Sequence, residues 1–308
     1  MYRKSPTVPA LFRSLEHNQT LDLKERLHTH LTEIVRDRDP YLASAGHFYV
    51  QQYIRQQLEQ WGTVETHEFR VRGKTHHNLI LNLPALPPPS QGGVQKAGGL
   101  PPILIGAHYD AVPGTPGADD NATGVVVLLE LARVFATEPL KYPVRLVAFD
   151  MEEYGMLGSD HYAADLKRQQ QPLRLMLSLE MLGYCNPAPN SQRYPAGLQY
   201  FYPDRGNFIA LIGNLPAIPD LMTLSRSIRQ VGTPSEWLPV PIKGLIVPQT
   251  RLSDHSPFWD RGYRAMMVTD TAFMRNPHYH RPSDTIETLD LDFLTGVCRG
   301  LAIGIRSL

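Results

Sequence analysis

The distribution of apolar residues along the 308-residue chain predicts a succession of buried strands. Short runs that are apolar throughout and bounded by turn-forming residues are typical of strands covered on both faces of a sheet. Because such strands need helices on both faces, the pattern favours a largely parallel central sheet. The predicted strands are 64–71, 77–83, 103–108, 144–150, 173–179 and 265–269.

Apolar residues at intervals of three and four predict amphipathic helices around these runs. Two of them, 22–38 and 47–61, precede the first strand, and Gly62 follows the second as a helix-ending residue. The alternation of strands with helices predicts the α/β class, as a three-layer α/β/α sandwich with a central, mostly parallel mixed sheet. The remaining predicted helices are 123–137, 157–169, 218–231 and 292–308.

The segment 83–101 is rich in proline, glycine and serine and separates two predicted strands. We interpret it as a long surface loop rather than a linker between domains. No internal repeat is visible. We therefore expect a single domain over 1–308, in which 1–62 form N-terminal helices that cover the sheet.

Charge and composition restrict the classes of partner. Lys+Arg and Asp+Glu each number 30, so we expect neither nucleic acid nor an anionic membrane as a partner. Cys185 and Cys298 are too far apart in sequence to suggest a cysteine zinc site or a disulfide framework. The N-terminal residues lack a signal-peptide pattern, and no run is long enough for a membrane helix, so we expect a cytoplasmic protein.

Polar residues suited to metal binding follow the predicted strands, where open α/β sheets place their ligand sites. His108 and Asp110 end one strand, and this spacing lets a metal-bound imidazole donate its other N–H to a carboxylate. Asp119 lies in an acidic group at the start of a helix, where capping of the helix is the alternative explanation.

Two further strands and a late loop add carboxylates and an imidazole. Glu152 and Glu153 are adjacent, so one could bind a metal while the other acts as general base. Glu180 lies near the end of a buried apolar run, where an unpaired charge is costly. Imidazole and carboxylate ligands favour zinc, with cobalt or manganese as substitutes, and one bridging carboxylate would make a two-metal hydrolase site. The five candidate ligands are His108, Asp119, Glu153, Glu180 and His280.

In order and wording these segments resemble the zinc aminopeptidase family that includes secreted bacterial aminopeptidases, glutamate carboxypeptidase and glutaminyl cyclase. The segments that carry the resemblance are AHYD, GADDNATG, DMEEYGMLGSDHY, SDHSPFW and NPHYHRPSDT. The resemblance runs from about Asn78 to Leu289 and implies the zinc-exopeptidase fold. It also implies a metal-dependent exopeptidase, expected to be an aminopeptidase that acts on peptides or small amides.

The resemblance assigns the ligands to two zinc ions. It implies that His108 and Glu180 bind one ion and that Glu153 and His280 bind the other. Asp119 is expected to bridge the two.

The resemblance also implies roles for residues beside the ligands. Asp110 is expected to orient the first histidine, and Glu152 is expected to be the general base that takes a proton from the attacking water. The bond between Asp119 and Asp120 is the expected cis peptide. Glu180 departs from the family pattern, because many members carry aspartate there.

Three other functions remain open at this stage. A glutaminyl cyclase would share the fold and zinc site, but cyclases usually carry tryptophan where this chain has Tyr279. A non-catalytic family member is disfavoured because every expected ligand and Glu152 are present. An amidase acting on small molecules stays open, because specificity loops follow no shared pattern. Asp254 and His255 match a family motif, which we interpret as structural or substrate-lining.

Overall fold

The computed structural model describes residues 10–86 and 99–308, with side chains from Asp22 onward in the first helix. Most of the predicted surface loop lies outside these ranges, as do residues 1–9 of the N-terminal stretch searched for a signal peptide. The strands of the described chain are β1 (Val64–Val71), β2 (Lys74–Leu83), β3 (Ile103–His108), β4 (Val144–Phe149), β5 (Leu175–Glu180), β6 (Ile209–Asn214), β7 (Ser235–Val240) and β8 (Ala265–Thr269).

All of these strands join one mixed sheet in the order β1-β2-β4-β3-β5-β8-β6-β7. The four central strands β4, β3, β5 and β8 are parallel to one another. The outer pairs are mixed, since β2 is antiparallel to both β1 and β4, and β6 is antiparallel to β8 but parallel to β7. The carboxyl ends of the four central strands therefore meet at one edge of the sheet.

Every residue of β3, β5 and β8 is buried, which explains why these strands are nearly continuous apolar runs in the sequence. Alternate side chains enter different cores. Leu177 and Leu179 join the larger apolar cluster, whereas Met176 joins the smaller cluster on the opposite face. The predicted α/β class with a mixed central sheet is confirmed.

Helices cover both faces of the sheet unequally. The helices of the described chain are α1 (Ala10–Ile34), α2 (Ser44–Glu59), α3 (Gly124–Thr137), α4 (Leu157–Arg168), α5 (Ile218–Gln230), α6 (Ser256–Asp260) and α7 (Leu291–Arg306). Side chains of α1, α2, α3, α5 and α7 enter the larger cluster, and those of α4 and α6 lie on the opposite face. Within the described ranges, no helix is long and apolar enough to cross a membrane.

Two strands and both ends of the first helix differ most from the prediction. β6 and β7 were not predicted. In β7, a partly buried strand at the edge of the sheet, Pro239 interrupts the short pattern. The first helix begins at Ala10 rather than at 22. The first helix ends at Ile34 rather than at 38, and the following residues lead Arg38 into the interior.

Candidate metal centre

The edge where the four parallel strands end carries most of the candidate ligands. His108 is the last residue of β3, and Glu180 is the last residue of β5. Glu152 and Glu153 follow β4, and His280 lies in the loop that follows β8. Because adjacent parallel strands end side by side, residues far apart in the sequence meet here.

Asp120 lies between the two histidines and faces each with a different oxygen. Its Oδ1 is 3.3 Å from His108 Nε2, and its Oδ2 is 3.1 Å from His280 Nε2. On one side, Glu180 Oε1 lies 3.5 Å from the same His108 nitrogen. On the other side, Glu153 Oε2 lies 3.4 Å from His280 Nε2. Two groups of three ligand atoms, each within 4.8 Å of one another, therefore share one carboxylate.

The structure corrects the expected bridge by one residue. The carboxylate of Asp119 accepts hydrogen bonds from the backbone N–H of Gly183 at 2.9 Å and from Nδ2 of Asn276 at 2.7 Å, so it faces other loops. Asp120 occupies the bridging position instead. The reason is a local kink, because Asp120 and Asn121 leave helical geometry within the turn Ala118–Thr123. The expected cis peptide was also misplaced, since it joins Asp120 to Asn121.

The donor set fits a pair of metal ions. The ring nitrogens of His108 and the Oε1 atom of Glu153 are buried, and none completes a well-formed hydrogen bond with another residue of the described ranges. Buried polar atoms without partners cost folding free energy, and a bound ion would satisfy them. Two imidazoles and three carboxylates around two positions match the ligand preference of zinc.

The electrostatics of the cluster without ions also favour a bound cation. Burial raises the pKa of Glu153 to about 7, and the nearby charge of Asp120 adds to this effect. Burial likewise raises the pKa of Glu180. Burial lowers the pKa of the His280 imidazole, but hydrogen bonds to Asp120 and Glu153 outweigh this effect and raise the pKa to about 10. The cluster therefore holds protons where a metal ion would supply positive charge.

Asp110 connects the first histidine to the loop after β4. Its Oδ1 lies 3.4 Å from His108 Nδ1, which is the contact expected of an orienting carboxylate. The same carboxylate accepts the backbone N–H of Glu152 at 3.0 Å and that of Glu153 at 3.1 Å. It thus positions the histidine and both glutamates together.

Glu152 lies beside the proposed ligands without joining either group that shares Asp120. Its Oε2 is 3.9 Å from His108 Nε2. Burial raises its pKa well above the ordinary value, and the charges of Glu180 and Glu153 raise it further. This carboxylate is placed to exchange protons with a molecule held next to it.

The carboxylate of Glu180 lies between His108 and Ser253. One oxygen faces His108, and the other accepts a hydrogen bond from Ser253 Oγ at 2.7 Å. Asp254 and His255, the next two residues, are fully buried, and His255 Nε2 lies 2.8 Å from the carbonyl oxygen of Thr250.

The loop that carries Asp120 is called the bridging loop below. Two residues that hold it were not singled out for that role from the sequence. The guanidinium of Arg38 is completely buried and donates hydrogen bonds to the carbonyl oxygens of Tyr109, Gly117 and Asp120 at 2.9, 2.8 and 3.2 Å, and also to that of Pro116. Arg38 lies outside every recognisable motif.

Asp284 holds the same loop from the opposite end of the chain. Its carboxylate accepts the backbone N–H groups of Asp119 and Asp120 at 2.9 and 3.1 Å. It lies four residues after His280, within the last motif. This spacing within a motif is the signal from which a position near the site could have been inferred.

Comparisons with known proteins relate part of this chain to peptidases. Residues 94–210 match the family model described as peptidase family M28. The chain is 39% identical over 223 residues to the uncharacterized protein YfbL of Escherichia coli, covering 65% of each chain. It is 42% identical over 82 residues to the aminopeptidase YwaD of Bacillus subtilis, covering 26% of this chain and 18% of YwaD. The aligned region thus spans less than two thirds of these relatives.

Solved structures show the same fold at low sequence identity. The LapA aminopeptidase of Legionella pneumophila superposes with a TM-score of 0.69 and 18% identity, covering 100% of this chain and 77% of LapA. The glutaminyl cyclase of Tannerella forsythia superposes with a TM-score of 0.64 and 17% identity, covering 92% of this chain and 98% of the cyclase. The solved structures show the fold alone, and the matches in sequence relate part of the chain to peptidase family M28 and to an aminopeptidase.

Proposed function

We propose that this chain is a metal-dependent aminopeptidase that releases N-terminal residues from peptides, a proposal that its likeness to peptidase family M28 and to the aminopeptidase YwaD supports. The proposal rests chiefly on the position of Asp120 between His108 and His280, each of which has a further carboxylate beside it. Two zinc ions would be held there, one by His108 and Glu180 and the other by Glu153 and His280, with Asp120 shared.

The chemistry divides between the ions and the protein. When bound, the two zinc ions would polarise the substrate carbonyl and lower the pKa of the attacking water. Glu152 lies 3.9 Å from His108 through its Oε2 atom and would accept the proton that the water loses. The same carboxylate would then donate that proton to the leaving amine, which completes the cycle.

Selection for chain ends would come from recognition of the free α-amino group. Glu152 and Glu153 lie at a site that opens to solvent beside His280, whose side chain is 36% exposed. A free α-amino group would bind one of the ions or one of these carboxylates, whereas the nitrogen of an internal peptide bond is neither basic nor charged. This supports cleavage at the amino end of a peptide.

The main alternative is a glutaminyl cyclase, which the likeness in fold to the Tannerella forsythia enzyme keeps open. Tyr279 occupies the position where cyclases usually carry tryptophan, and its ring stacks on that of His280 with centroids 3.7 Å apart. A tyrosine in this place favours the peptidase. Cyclisation of an N-terminal glutamine substrate is therefore the second assay to run.

The proposal is tested with a panel of aminoacyl-p-nitroanilides on the purified protein. Chelator should stop the release of nitroaniline, and zinc should restore it, with cobalt or manganese as expected substitutes. Glu152→Gln should lower kcat by at least about a hundredfold, the lower range for loss of a general base, while two metal ions remain bound. Glu68→Gln, at an exposed position on β1, is the matched control and should behave as wild type.

Two outcomes would contradict the proposal. If the metal-loaded protein hydrolyses none of the aminoacyl substrates, the aminopeptidase assignment is wrong. If Glu152→Gln retains activity with full metal content, the protein is a metallohydrolase with another base.

A further inference from the structure

A row of side chains crosses four neighbouring strands and begins at the candidate metal centre. Glu180 of β5 pairs with Thr269 of β8, Thr269 pairs with Ala210 of β6, and Ala210 pairs with Glu236 of β7. Residues that pair directly across strands point to the same face of the sheet. With strands about 4.8 Å apart, the row extends about 14 Å from Glu180 to Glu236.

A second row beside the first makes this surface apolar. Met267 of β8 pairs with Ile212 of β6, and Ile212 pairs with Leu238 of β7. These positions lie two residues along each strand from the first row, so they project from the same face. The two rows together form a surface that is called the floor below. Between Glu180 and Glu236, the floor consists of aliphatic side chains, methionine and threonine.

Loops enclose this surface in two adjoining cavities. The cavity next to the metal centre is lined by Glu180 and Tyr279 among others. The farther cavity is lined by Tyr202 and Leu238 among others. The two share four wall residues. These are Ile212, Gln249, Thr271 and Met274.

We propose that the two cavities form one groove that takes an N-terminal residue whose apolar side chain is longer than that of leucine. The inference rests on the proposed aminopeptidase function and specifies its substrate class. With the N-terminal residue held at the metal centre, its side chain would enter the first cavity. The farther cavity would accept the part of that side chain that extends beyond the length of a leucine side chain. Clefts with apolar walls bind apolar groups because binding removes both surfaces from water.

The far end of the groove argues against a basic side chain as the occupant. Glu236 is the only acidic residue that lines the farther cavity in the described chain. Its Oε2 already forms an ion pair with Arg229 at 3.2 Å. The carboxylate is therefore partly neutralised, and the remaining walls offer a lysine or arginine side chain no other negative partner.

Ala210 controls the passage between the two ends of the row. It lies between Thr269 and Glu236, lines the farther cavity and is 8% exposed. A larger side chain at this position would project from the floor into the groove. Ala210→Leu should therefore block the far part of the groove and leave the cavity beside Glu180 open.

The test uses p-nitroanilides of straight-chain amino acids from alanine through norleucine to 2-aminooctanoate and 2-aminodecanoate, with the zinc-loaded protein. We expect kcat/KM to rise about threefold to fourfold for each added methylene, including those beyond norleucine. In Ala210→Leu the rise should stop near norleucine. Ala196→Leu makes the same change at an exposed position of a covering loop and should keep the full series.

The outcomes separate the two proposals. A wild-type series that levels off or falls beyond norleucine, or one that Ala210→Leu leaves unchanged, overturns the groove while the aminopeptidase stands. If no anilide is hydrolysed, the proposed function fails and the inference fails with it. If Ala210→Leu does not fold, as shown by its unfolding midpoint, Ala210→Val replaces it, and it should lower the rates for 2-aminooctanoate and 2-aminodecanoate relative to alanine.

Discussion

The buried guanidinium of Arg38 provides the sharpest test of how the site is held together. It comes from the segment between α1 and α2 and reaches the loop that carries Asp120. Its hydrogen bonds go to backbone carbonyl oxygens, including those of Tyr109 and Gly117, and none to a carboxylate is present in the described chain. Replacing it therefore changes the support of the loop without removing a metal ligand.

The size of the effect follows from these contacts. Hydrogen bonds from a charged donor contribute about 1.5–3 kcal/mol each, and removing one partner of a buried charged network costs about 3–5 kcal/mol. Burial also lowers the pKa of Arg38, so part of the gain is offset by desolvation of the guanidinium. We expect Arg38→Met to lower the free energy of unfolding by about 3–5 kcal/mol. Arg38→Lys should lower the free energy of unfolding by less than Arg38→Met, because its ammonium group keeps some of these contacts. It should still fall below wild type, because one ammonium group cannot contact all these carbonyls.

The assay combines urea unfolding with zinc titration against a competing chelator. Loss of outer contacts around a metal site lowers affinity about 10–100-fold, and we expect this loss for Arg38→Lys. Arg36→Lys is the control, since Arg36 is partly exposed and its nearest carboxylate, on Glu33, is 3.9 Å away. If Arg38→Lys matches wild type in both zinc affinity and stability, the guanidinium does not hold the bridging loop.

Three further changes test other parts of the structure. Asp120→Asn should lower bound zinc below two ions per chain by metal analysis, whereas Asp119→Asn should retain both, and the reverse result would restore the original assignment. Gly106→Ala should lower the melting temperature, since a Cβ there would lie 2.3 Å from the ring of Phe149, and overpacking costs about 1–3 kcal/mol; an unchanged melting temperature would contradict this packing. Burial and the charge of Asp119 raise the pKa of Asp284 from 3.8 to about 7. Between these values the unfolded chain releases a proton that the folded chain keeps, so this group makes the chelated protein less stable as pH rises from about 4 to 7. Urea unfolding of chelated Asp284→Asn, which lacks this titration, should show a smaller loss over that range, and an identical pH dependence would contradict the shift.

The positions of His108 and Glu180 were predictable because each directly ends a buried apolar run. Parallel strands place such residues at a common edge, so sequence order translates into spatial proximity. The two adjacent aspartates were harder. Which of Asp119 and Asp120 faces the histidines depends on a kink of the backbone, and both residues satisfy the same sequence pattern.

The N-terminal contribution was not predictable in the same way. Arg38 follows an amphipathic helix, where an arginine is usually exposed. Its partners are backbone carbonyl oxygens, which every residue has, so no pattern of side chains in the sequence indicates them. β7 was missed for a related reason. Its side chains are mostly half-buried, so the strand shows weak alternation, and Pro239 disrupts what remains.

The order of the strands in the sheet has a consequence for the newly made chain. β8 pairs with β5 although β6 and β7 lie between them in the sequence, and the loop that supplies His280 follows β8. During synthesis the earlier ligands emerge well before that histidine, so the second half of the metal centre stays incomplete until β8 has docked beside β5. For the proposed aminopeptidase, a nascent or misassembled chain would therefore be unable to trim the other unfolded polypeptides around it, and the topology itself would delay the onset of activity.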